Sequence, residues 1–162
     1  MTLGVDVQLA TDDASLPTQR QLIEWARAAW RGGSDDAEVV VRAVDEAEGR
    51  RLNHEFRGSD RATNVLSFPF QPPPGVELDH LGDLVICAPV VAREALQQGK
   101  PAQAHWAHMV VHGMLHLQGY DHETDEQAVE MEGRETQILT ALGFAAPYAG
   151  EQGPAETQSD GV

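Results

Sequence analysis

Between residues 5 and 9 apolar and polar side chains alternate, Val5, Val7 and Leu9 against Asp6 and Gln8, the period-2 pattern of a half-buried strand. The period then lengthens. Ser15 stands where a helix cap belongs, Pro17 is tolerated in a first turn, and Leu22, Ile23, Ala26, Ala29 and Trp30 recur at helical spacing until Gly32-Gly33. Trp25 and Trp30 take core positions by their size. A valine-rich run over 38–44 predicts a more deeply buried strand, and residues 45–56 a short helix running into the loop Arg57-Gly58-Ser59-Asp60-Arg61. Residues 64–68 read as a third strand, after which Pro69 and Pro72-Pro73-Pro74-Gly75 predict a rigid loop flanking the site. A fourth strand over 81–87 leads into a helix with Pro89 near its start and Gly99-Lys100-Pro101 as its stop.

Residues 102–118 form a helix apolar at Trp106, Met109, Val110, Met114, Leu115 and Leu117, too many faces for a surface helix. Thr124 with Gln127 makes a capping box for a last helix, whose Val129, Ile138, Leu139 and Leu142 point inward before Gly143 ends it. Residues 147–162 lack periodicity and are rich in Gly, Pro, Gln and acids, the composition of a disordered acidic tail. The prediction is an α+β fold: one domain over 1–146, a small mixed sheet of about four strands packed with about five helices, the 102–118 helix central.

That helix carries the candidate chemistry. His112 and His116 are four residues apart and stand one above the other on a helix, Cα atoms roughly 6 Å apart. Gly119 tolerates the left-handed conformation that ends many helices, so the chain can reverse and return His122 to the same point. Three neutral nitrogens with a fourth position left to water describe a catalytic zinc site, not a closed structural one. His108, one turn before His112, is the competing ligand by spacing. The pattern H-x3-H-x2-G-x2-H reproduces the zinc helix and turn of metzincin proteases, except that Gly113 stands where those proteases carry a proton-transferring Glu. Glycine transfers no proton, so the metal is retained without the protease chemistry. Asp83, inside an apolar strand, must be paired, either orienting a ligand histidine or an arginine or in a structural hydrogen bond.

Length, composition and charge change the picture in four ways. A chain of 162 residues suits a single core, burying about 68–70% of its unfolded surface. Cys87, the single cysteine, excludes an internal disulfide, fits a reducing cytoplasm, and reads as a small buried side chain. Neither a secretory signal nor an apolar run of membrane-spanning length is visible, so no membrane association is expected. The net charge of −15 opposes a broad nucleic-acid surface, so any contact with a polyanion must be local. Arg20, Arg27, Arg31, Arg42, Arg50, Arg51, Arg57 and Arg61 all precede residue 62 and are the cations available for it.

His112-Gly-x-Leu-His116-Leu-x-Gly-Tyr-Asp121-His122, with the upstream Leu52-Asn53…Phe56-Arg57-Gly58, Thr63-Asn64-Val65-Leu66-Ser67-Phe68-Pro69-Phe70 and Leu81-Gly82-Asp83-Leu84-Val85-Ile86, resembles the YbeY family over roughly residues 5–144. The resemblance implies a metal-dependent endoribonuclease specific for single-stranded RNA, acting in ribosomal RNA maturation and ribosome quality control. It implies one Zn2+ held by His112, His116 and His122, leaving His108 behind the ligands or in the core, and Arg57 as a phosphate clamp. Small-subunit ribosomal proteins or an assembly GTPase are the implied protein partners. Two rival functions stay open from the residues alone: a zinc hydrolase of peptides or small molecules, and a non-catalytic zinc-containing ribosome-assembly factor.

Overall fold

The computed structural model describes residues 3–32, 36–70, 73–75 and 80–148. The alternating segment becomes β1 (Leu3–Leu9) and the valine run β2 (Ala37–Val44), paired in parallel with Val5 opposite Val39. Parallel neighbours need a crossover, and α1 (Gln19–Ala28) supplies it. After α2 (Glu46–Arg57) come β3 (Val65–Pro69) and β4 (His80–Cys87), antiparallel to each other, with β4 inserted beside β2. The sheet order is β1-β2-β4-β3, which leaves β3 on an edge. Then follow α3 (Ala88–Gln98), α4 (Ala102–Leu117) and α5 (Asp125–Ala141). The mixed four-stranded sheet with five helices is the α+β domain read from the pattern.

Strand alternation sorts the core into two layers. Val39, Val41, Ala43, Leu84, Ile86 and Val65 face α1, α4 and α5 in the main core, with Trp25, Trp106, Met114 and Leu139. Val44, Val85, Cys87 and Leu66 face the other way, under Leu52 of α2. Cys87 is buried there, and burial raises its thiol to about 11, so it is an inert packing group. Helix α4 touches α1, α3, α5, β3 and β4, which is why apolar residues occur around most of its circumference.

Several local expectations give way. The first helix is capped by Thr18 in a capping box with Gln21, not by Ser15, whose N–H and hydroxyl both donate to Asp13 Oδ1. It ends at Ala28, and Gly33 lies outside the described residues, as do Pro72 and residues 149–162. Tyr148, inside the stretch read as tail, donates its hydroxyl to the carboxylate of Glu135. Val129 is 72% exposed; Met131, Glu135, Ile138 and Leu139 form the inward stripe of α5 instead. Asp83 orients neither a ligand histidine nor an arginine: it pairs with His80 at 2.8 Å on a partly exposed strand end. No helix among the described residues is long and apolar enough to cross a membrane.

Helix α4 approaches the sheet closely at Gly113. A Cβ there would lie 2.7 Å from Cδ2 of Leu84 and 3.3 Å from Val65, and Leu84 is itself fully buried with no room to withdraw. Gly113→Ala should therefore lower stability by about 1–3 kcal/mol despite alanine's better helix propensity. Thermal melts should register this as a fall of roughly 2–4 °C per kcal/mol; an unchanged Tm would show that the helix stands off the sheet.

Candidate metal centre

His112 and His116 project from the last two turns of α4 with ring centroids 4.6 Å apart, as their four-residue spacing requires. Beyond Leu117 the chain must turn sharply. Gly119 adopts φ +99°, while the N–H groups of Gly119 and Tyr120 donate to the carbonyls of His116 and Leu115. The reversal brings the ring of His122 to 5.7 Å from His112 and 5.2 Å from His116, and Asp121 steadies the new direction by accepting the His122 N–H at 2.8 Å. One nitrogen from each of the three rings lies within 4.8 Å of the others.

Two further observations fit a metal at this point. Nε2 of His112 and Nε2 of His116 are buried without a hydrogen-bond partner, each a cost of about 1–3 kcal/mol if nothing meets it. His116 is also held neutral: burial, then repulsion from His112 and His122, lowers its imidazole to about 4. Its lone pair is thus available at neutral pH. Borderline neutral nitrogens of this kind suit zinc and its transition-metal neighbours.

The carboxylate behind the ligands went unnoticed in the sequence. Glu135, fully buried on α5, accepts from Nδ1 of His112 at 2.5 Å, Nε2 of His108 at 2.9 Å and the Tyr148 hydroxyl. Burial alone would raise its carboxyl, but the hydrogen bonds from His108 and His112 outweigh that and hold it well below the usual carboxylate range. Burial keeps His108 itself low and neutral. His108 therefore sits behind His112, joined to it through Glu135, and outside the converging trio. The signal was present: Glu135 occupies the inward stripe of α5, four residues after Met131 and three before Ile138.

Arg57 reaches the site's neighbourhood from the other layer. It ends α2, where Gly58 turns the chain at φ +73°, and its exposed guanidinium donates through Nη2 to Ser67 O at 3.3 Å. The Ser67 hydroxyl in turn lies 3.5 Å from the carbonyl of Gly113, the residue after His112. Buried Asn53 ties down the loop behind Arg57 by donating to Arg61 O at 2.7 Å. Arg42, Arg50, Arg51 and Arg93 are each paired to a carboxylate, whereas Arg57 has no carboxylate partner among the described residues. Asn64 of the upstream motif is a structural residue: its side chain accepts from Val65 N–H and donates to Glu94, which also holds His105 at 2.7 Å.

Comparison with known proteins agrees with this arrangement. The family described as endoribonuclease YbeY matches residues 7–143. Among solved structures, a solution structure of the protein TM1509 from Thermotoga maritima is similar at 26% identity and a TM-score of 0.56, covering 94% of this chain and 99% of that one. With the family matched across nearly its whole folded length, and its histidines gathered on the central helix and the turn that follows, the chain belongs to the YbeY endoribonuclease family.

Proposed function

We propose that this endoribonuclease cuts single-stranded RNA in ribosomal RNA maturation and ribosome quality control, with His112, His116 and His122 holding one Zn2+ and Arg57 clamping the scissile phosphate. The observation that carries the reading is the pair of buried, partnerless Nε2 atoms of His112 and His116 converging with His122. Bound there, zinc would supply Lewis acidity toward a phosphoryl oxygen and an acidified water. The chain's own residues do the rest. Glu135 and the Gly119 turn orient the imidazoles, and Arg57 offers a planar fork that can bind two phosphate oxygens as charge grows on them.

The rival readings meet physical obstacles. A metzincin-like protease needs a carboxylate at position 113, and that position faces Leu84 and Val65 with no space even for a Cβ. A purely structural zinc is ordinarily closed by four protein ligands, and three donors converge here. A chain of net charge −15 meets RNA through a few local cations, which fits an arginine left uncommitted beside the site while its neighbours are ion-paired.

Metal content is the first check. Wild type should carry one zinc per chain by elemental analysis, and His116→Ala should lose most of it, because two imidazoles leave the ion largely to solvent. Full zinc in that variant would remove His116 from the ligand set.

The second check separates clamp from metal. Arg57→Ala should keep zinc and fold while cleaving a labelled single-stranded RNA roughly 10²–10³-fold more slowly, and Arg57→Lys should restore little because a point charge lacks the fork. Rising salt should weaken wild-type cleavage less steeply than it weakens proteins making about 6–10 phosphate contacts. Equal cleavage by wild type and Arg57→Ala would exclude the clamp, and absence of metal-dependent cutting by wild type would favour the assembly-factor reading.

A further inference from the structure

A neutral imidazole carries its proton on one nitrogen or the other, and only the Nδ1–H form of His112 leaves Nε2 a lone pair for a metal. Which form is present follows from what the second nitrogen meets. Nδ1 of His112 meets Oε2 of Glu135 at 2.5 Å, and an ionised carboxylate can accept a hydrogen bond but not donate one. The other oxygen, Oε1, is engaged by His108 and by Tyr148, so the carboxylate cannot swing away without stranding both. The ion-pair partners of Glu135 within 4.0 Å are the imidazoles of His108 and His112, with no Lys or Arg at that distance among the described residues. A buried anion without a compensating cation is costly, and a cation seated one imidazole away would offset it.

We propose that Glu135 is a positioning residue for the metal centre: it fixes His112 as the Nδ1–H tautomer and aims its Nε2 at the ion, with His108 and Tyr148 holding the carboxylate in place. This rests on the reading that His112, His116 and His122 hold the metal. It makes the geometry of α5, an element that contributes no ligand, a determinant of metal affinity. The carboxylate acts through its role as acceptor, so shape alone does not replace it. An amide in its place has one acceptor and one donor end, and can serve only one of the two imidazoles as the carboxylate does. Where its NH2 faces His112, the ring must put its proton on Nε2 and lose its metal-binding lone pair.

The test uses full-length wild type and Glu135→Gln, each with zinc and after chelation. Chelator competition should show zinc binding weakened by about 10–100-fold in the variant. The gain in Tm on adding zinc should shrink, while the two chelated proteins melt close together; a merely structural glutamate would lower both melts alike and leave the gain intact. Nitrogen-15 spectra of the imidazoles in zinc-loaded wild type should place the His112 proton on Nδ1, in a hydrogen bond, with zinc on Nε2. Zinc affinity unchanged both by Glu135→Gln and by Glu135→Ala, which offers His112 no acceptor, overturns the proposal. Should these variants fail to fold, the wild-type spectrum still decides: zinc on Nδ1 with the proton on Nε2 overturns it. Wild type that takes up no zinc overturns the metal reading itself, whereas zinc bound equally by wild type and both variants overturns only the role of Glu135.

Discussion

Helix α4 is buried on almost every side and yet carries four imidazoles, at 105, 108, 112 and 116, and the need to give each ring a partner organises the structure around it. Adjacent rings along this ladder lie 6.2, 6.3 and 4.6 Å apart, so they run down one side of the helix. Glu94 from α3 meets the first ring, and Glu135 from α5 meets the second and third. Two of the three helices that flank α4, α3 and α5, therefore bring a carboxylate to it as well as apolar contact. The last two Nε2 atoms, like Nδ1 of His105 and of His108, meet no protein partner, and they stand at the end where the chain reverses and adds His122. A buried polar group without a partner is costly, so a metal bound at these histidines would couple its binding to folding in this region.

The same reasoning bears on charge. An acidic chain that must handle a polyanion cannot rely on a basic surface, and several of its arginines are spent on carboxylates: Arg42 on Glu48, Arg50 on Asp60, Arg93 on Glu46. These exposed pairs contribute little to stability, but they do cancel charge locally. Arg57, like Arg27, is anchored instead to a backbone carbonyl, which directs the guanidinium without neutralising it.

Much of this was legible because periodicity is a direct consequence of burial. Four strands and five helices follow from the alternation and the helical stripes, and the trio of histidines follows from spacing plus one turn-forming glycine at 119. What escaped had competing local explanations. Ser15 and Thr18 are both good caps, and only the carboxylate of Asp13, capturing Ser15, decides between them. Val129 looked inward because it is apolar, while the helix phase is set by Met131, Ile138 and Leu139. Glu135 escaped for the opposite reason: a charged residue is ordinarily assigned to solvent, and its partners lie 23 and 27 residues away on another helix.

Gly113 shows how one position connects these layers. It follows a histidine of the trio, it faces the sheet, and its missing side chain lets α4 settle against Leu84 of β4 and Val65 of β3. That contact brings the carbonyl of residue 113 to the Ser67 hydroxyl on the edge strand, and the carbonyl of Ser67 is what Arg57 holds. Arg57 ends α2 and two of the histidines stand on α4, on opposite sides of the sheet, and Ser67 of β3 touches both layers through its carbonyl and its hydroxyl. The side chain that a metzincin-like protease requires at this position is therefore one that Leu84 and Val65 crowd, and the absence of the glutamate follows from the packing of α4 on the sheet.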